Sequence, residues 1–112
     1  MSKPIDWRGS SLEDLKDSPL SARQDAGYQL RKLQRGELPD DWRAFPEVGT
    51  GVSEIRINCV DGWYRVMYVA KFDEAIYVLH SFVKHSRRTA RTDIRVAKTR
   101  YLAVVAERKS AK

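Results

Sequence analysis

The chain has 112 residues, 42 % apolar and 32 % charged, a composition that fits one folded globular domain and excludes a disordered or fibrous chain. Its 21 Lys and Arg against 15 Asp and Glu give a formal charge of +6, which favours polyanionic partners. No apolar run approaches the roughly 20 residues of a membrane span, and Met1 to Trp7 lacks the apolar core of a secretory signal, so a cytoplasmic protein without membrane contact is expected.

Lys3 to Trp7 alternates polar and apolar residues, the pattern of a short strand. Ser10 with Glu13 three positions on fits a capping box, opening a short helix that ends before Ser18-Pro19. Pro19 at a first helical position, with Ser18 as cap, starts a second helix whose stripe of Ala26, Leu30 and Leu33 ends at Gly36. Gly36 to Gly51 reads as a loop pinned by Trp42 and Phe45. Three strands follow, Val52 to Cys59, Trp63 to Lys71 and Ala75 to Phe82, joined at Asp61-Gly62 and Phe72-Asp73-Glu74 as an antiparallel meander. A last helix, capped by Thr89 or Thr92, carries the stripe Ile94, Ala97, Tyr101, Val104 and Val105. The order β-α-α-β-β-β-α describes a small α+β domain over residues 1–112, with about the last five residues expected to be disordered.

Charge is uneven along the chain. From Phe82 onward ten basic residues are opposed only by Asp93 and Glu107, a net +8, while the first 81 residues carry a net −2. Strand alternation puts Trp63, Arg65, Met67 and Val69 on one face, and Arg56 beside Glu54 and Asn58. By the same rule His80 shares a face with Val78 and Phe82, with Lys84 and His85 just past the strand end. If one sheet face packs on the helices, the other is left as an open, basic, partly aromatic concavity suited to RNA. Trp7, Trp42 and Trp63 are read as packing residues.

Several chemistries are excluded. Cys59 stands alone, and His80 and His85 are the only histidines, so neither a disulfide nor a structural metal is expected. Gly49-Thr50-Gly51 lacks the further glycine and lysine of a nucleotide loop, so no cofactor is expected. No serine sits in a nucleophile elbow.

The segments Glu54-Ile55-Arg56, Tyr64-Arg65-Val66-Met67-Tyr68, Leu79 to Thr89 and Asp93 to Ala97 resemble the RelE/ParE toxin superfamily, in particular its phage-derived Gp-like/HigB-like branch. That branch usually carries a motif like LHxFxKKTxKT ahead of its last helix. The resemblance implies the toxin of a type II toxin–antitoxin pair, a ribosome-dependent mRNA endonuclease that blocks translation by metal-independent RNA cleavage. It places Arg65 on the scissile phosphate, Lys84 as a second phosphate contact or transition-state stabiliser, and Arg56 along the RNA backbone. His85 stands where a second lysine is common, and Ser86 where a threonine is. A histidine there can move protons near neutral pH, which makes His85 either a general acid or base or a tolerated substitution. Lys71, His80, Arg87, Arg88 and Tyr101 complete the expected RNA contacts, although Tyr101 also lies in the apolar stripe. The implied partners are the ribosome with its mRNA and a cognate antitoxin, commonly a helix-turn-helix DNA-binding protein. Two alternatives remain open on the same fold: a ParE-like DNA gyrase inhibitor, and a non-catalytic relic that binds nucleic acid or antitoxin.

Overall fold

The structure, a computed structural model, describes residues 2–60 and 62–111; Met1, Asp61 of the Asp61-Gly62 turn, and Lys112 lie outside the described residues. The elements run β1 (Ile5–Trp7), α1 (Ser11–Lys16), α2 (Leu20–Gln34), β2 (Trp42–Ala44), β3 (Val52–Cys59), β4 (Gly62–Val69), β5 (Ile76–Lys84) and α3 (Arg91–Ser110). The α+β class and the order of helices and main strands are as the sequence indicates. One short strand, β2, lies inside the segment expected to be loop.

The five strands form one sheet in the order β1-β5-β4-β3-β2, antiparallel except where β1 joins β5. Each sheet face carries its own apolar cluster. Leu15, Ala22, Ala26, Leu30 and Leu33 from α1 and α2 pack on Ile55, Ile57, Val66, Tyr68, Ile76 and Val78. On the opposite face Ala97, Tyr101 and Val104 of α3 pack on Val52, Met67, Val69, Tyr77 and Leu79. The sheet is therefore covered on both sides, and the open concavity expected over a whole face is limited to the end that α3 does not reach.

Helix boundaries follow local backbone chemistry. Gly36, at φ +83°, ends α2 in a Schellman turn: Glu37 N–H donates to Lys32 O (2.9 Å) and Gly36 N–H to Leu33 O (3.0 Å). The expected caps differ in detail. Pro19 is the N-cap of α2 rather than its first residue, and Ala90, not Thr89 or Thr92, precedes α3. Ser10 does precede α1, but its hydroxyl donates to the Asp14 carboxylate (2.8 Å), and no capping box with Glu13 forms. At its far end α3 runs through Ser110, and Arg108 donates to Glu74 (2.6 Å), in a tail expected to be disordered.

One irregularity decides the site. Met67 pairs with His80, but the next residue, Tyr68, pairs with Val78, so Leu79 is an extra residue on β5. This bulge resets the alternation. Val78 stays in the cluster under α1 and α2, whereas His80, Phe82 and Lys84 turn to the α3 side opposite Met67, Arg65 and Trp63. The expected sharing of one face by His80 and Val78 is thus corrected. Arg100 of α3 secures the bulge, donating to Leu79 O (3.0 Å) and to Ser10 Oγ (3.1 Å).

Candidate active site

The uncovered end of the sheet gathers charge around one carboxylate. Glu54 on β3 is 1 % exposed, and Arg43 on β2, Arg56 on β3 and Arg65 on β4 surround it. Arg43 Nε lies 3.2 Å and Arg65 Nε 3.9 Å from Glu54 Oε1. Arg65, 4 % exposed, is fixed by donating through Nη1 to Asn58 Oδ1 (3.0 Å) and Tyr64 O (2.9 Å). Its Nε and both Glu54 oxygens make no hydrogen bond, which leaves donor and acceptor capacity inside the site.

Arg56 faces Arg65 directly across the β3–β4 pair. Like charges in register are unfavourable, and here Asp41, 3.8 Å from Arg56 Nε, and Glu54 beside Arg65 offset them. Lys84 enters from β5, at the register position of Trp63. The site thus brings together Arg65, Lys84 and Arg56 of the expected residues, and adds Arg43 and Glu54.

The titration of these groups follows their burial. Loss of solvent pushes the Glu54 carboxyl above its ordinary value, with Arg43 and then Arg65 opposing the shift. Loss of solvent lowers the Lys84 ammonium first, and Arg65 adds to the effect. A carboxylate raised and an amine lowered in one site are a base and an acid moved toward neutrality from opposite sides.

The remaining expected residues differ in setting. His85 follows the end of β5 and is exposed, as are Arg87 and Arg88 in the turn before α3. His80 is buried: its Nε2 lies 2.8 Å from Asp93 Oδ1 and its ring stacks on Phe82 at 4.9 Å, tying β5 to the first turn of α3. Tyr101 sits in the core and donates its hydroxyl to Thr50 O (3.0 Å); a Cβ on Gly49 would stand 2.4 Å from its ring. Lys71 lies past the far end of β4, over the Phe72 ring at 5.1 Å, and the structure does not bring it to Arg65. Among the tryptophans, Trp42 and Trp63 are exposed rather than packed inside.

Glu54 was absent from the expected site. A lone acid in a strand does not announce its burial, but the polar series Glu54, Arg56, Asn58 on a single face of an otherwise apolar strand is the available signal.

No helix among the described residues is long and apolar enough to cross a membrane. No curated protein matches the chain. The sequence model of the family described as phage derived protein Gp49-like (DUF891) matches residues 13–102, which take in α1 from Glu13 onward, all of α2, the four strands β2 to β5 and α3 as far as Leu102. The chain therefore belongs to the phage-derived Gp49-like family, a family of RelE-like toxins that work as the toxin half of a toxin–antitoxin pair.

Proposed function

We propose that this toxin is a ribosome-dependent mRNA endonuclease, as the resemblance to the HigB-like branch implies, and that Glu54, Arg65 and Lys84 carry its chemistry. The observation behind this reading is the convergence of Arg43, Arg56, Arg65 and Lys84 on a buried carboxylate whose proton affinity is raised.

In this reading RNA binding opens the cover over Glu54, whose oxygens are inaccessible in the free protein; the carboxylate then takes the proton of the RNA 2′-hydroxyl, and the 2′-oxygen attacks the adjacent phosphorus. Arg65, with Arg56 opposite it, meets the negative charge that grows on the phosphorane oxygens. The bond from phosphorus to the 5′-oxygen then breaks, and Lys84 donates a proton to the departing oxygen. The products are a 2′,3′-cyclic phosphate and a 5′-hydroxyl. His85, exposed beyond Lys84, contacts the flanking RNA instead of acting as the proton carrier. The antitoxin half of the pair would silence the site by adding acidic groups to this cationic end.

Purified protein, incubated with programmed ribosomes, should cut mRNA and leave 2′,3′-cyclic phosphate and 5′-hydroxyl ends. Fragments with 5′-phosphates and 3′-hydroxyls would contradict this chemistry.

A further inference from the structure

A second cationic cleft adjoins the first through Arg43. It encloses about 340 Å³ and is lined by Arg43, Arg87, Arg88 and Arg91, with Glu47 as its single carboxylate. Glu47 Oε2 stands 3.7 Å from Arg91 Nη1, and both side chains are largely exposed, so solvent screens most of that pairing. Among the described residues, Arg87 and Arg88 have no carboxylate partner. Their turn is held by the Ser86 hydroxyl, which donates to Arg88 O (3.0 Å). Beside them the Thr89 hydroxyl oxygen is buried without a hydrogen-bond partner.

Arg43 belongs to both clefts. Its Nε faces Glu54 at 3.2 Å, while its guanidinium lies over the Phe45 ring at 5.1 Å, which fixes the fork at the boundary between them. All four cations are arginines, whose planar forks match phosphate oxygens in pairs where lysine offers a point charge. One ligand that fills both clefts must therefore carry an anionic group at the Glu54–Arg65 site and another beyond Arg43.

We infer that the Arg43–Arg87–Arg88–Arg91 cleft is a second phosphate subsite, which holds a phosphodiester flanking the scissile one and so fixes the single-stranded RNA in register. The inference rests on the RNA-cleaving reading above and extends it to how the strand is held. Arg43 positions the boundary between the two phosphates; Arg87, Arg88 and Arg91 supply affinity.

The test uses fluorescence anisotropy with a labelled 2′-O-methyl single-stranded RNA of roughly eight nucleotides, long enough to span both clefts and unable to be cleaved at its 2′ positions. The triple variant Arg87→Gln, Arg88→Gln, Arg91→Gln changes exposed residues only, and its melting temperature should match the wild type. It should bind this RNA about tenfold or more weakly near 0.1 M salt. The slope of log affinity against log salt should fall by about 0.7 for each phosphate that the variant no longer neutralises. A dinucleotide with one phosphate should bind both proteins alike. Equal affinity and equal slope for the longer RNA, in a wild type that binds and cleaves RNA, would overturn the inference alone. A triple variant that keeps the RNA but loses a polyglutamate peptide would assign the cleft to an acidic protein partner and overturn it too. A wild type that binds no free RNA would overturn the inference, whereas the cleavage reading stands or falls with the programmed-ribosome assay.

Discussion

Glu54 and Arg65 sit on neighbouring strands with their charged groups 3.9 Å apart, both nearly inaccessible to water. Removing Arg65 leaves Glu54 buried with only the half-exposed Arg43, at 3.2 Å, beside it, so its charge is less well compensated. Arg65→Met should therefore lower stability by about 3 kcal/mol at neutral pH. The loss should shrink as pH falls and Glu54 takes up a proton, and Glu54→Gln in the same chain should recover most of it. Denaturant titrations of the two single variants and the double variant check this directly.

The raised Glu54 carboxyl has consequences of definite sign. Its folded value lies above its unfolded one, so its contribution to stability is fully present below the unfolded value and is lost as pH rises through the folded value. Glu54→Gln should thus gain on the wild type in stability between acid and neutral pH. In catalysis the unprotonated form is needed, so cleavage should decline on the acid side through a value above 4.5. On the alkaline side it should decline through a value below 10.5, where Lys84 loses its proton. Glu54→Gln should remove the acid limb and lower the rate by roughly 10²- to 10⁴-fold, and Lys84→Arg should move the alkaline limb upward.

Arg100 is far from Glu54 in sequence yet holds the bulge that aims Lys84. Its guanidinium satisfies Leu79 O and Ser10 Oγ together, so Arg100→Met leaves a carbonyl in the sheet without its charged donor. The expected cost is about 1–3 kcal/mol by chemical denaturation. Cleavage should fall as well, because the face on which Lys84 stands depends on that extra residue.

Tyr101 offers the converse case. Its hydroxyl is engaged by Thr50 O, so Tyr101→Phe should cost about 1 kcal/mol in stability and leave RNA cleavage in place. Gly49→Ala, whose new Cβ would stand 2.4 Å from the Tyr101 ring, should cost roughly 1–3 kcal/mol through overpacking. Thermal melts beside a cleavage assay separate the two effects.

These residues also show how far the sequence carries. Alternation in β4 correctly grouped Arg65 with Met67 and Val69, because that strand pairs without interruption up to Met67 and its apolar pattern is strict. The stripe of α3 was equally legible, since helical spacing survives whatever the helix packs on. The bulge at Leu79 was not, because an extra residue is defined only by the partner strand, and it reversed the face of His80, Phe82 and Lys84. β2 escaped notice because Trp42-Arg43-Ala44 is too short for any period, and with it went Arg43. Glu54 reads as a polar neighbour of Arg56, whereas Arg43 and Arg65, which stand beside it, come from other strands.

The most direct test of the account is controlled expression in a bacterial host, with pulse-labelled protein synthesis and DNA synthesis followed together. Wild type should arrest protein synthesis at once while DNA synthesis continues, and the pair Glu54→Gln with Lys84→Ala, accumulated to the same soluble level, should arrest neither. Immediate arrest of DNA synthesis, or equal translation arrest by the double variant, would contradict RNA cleavage at the Glu54–Arg65–Lys84 site.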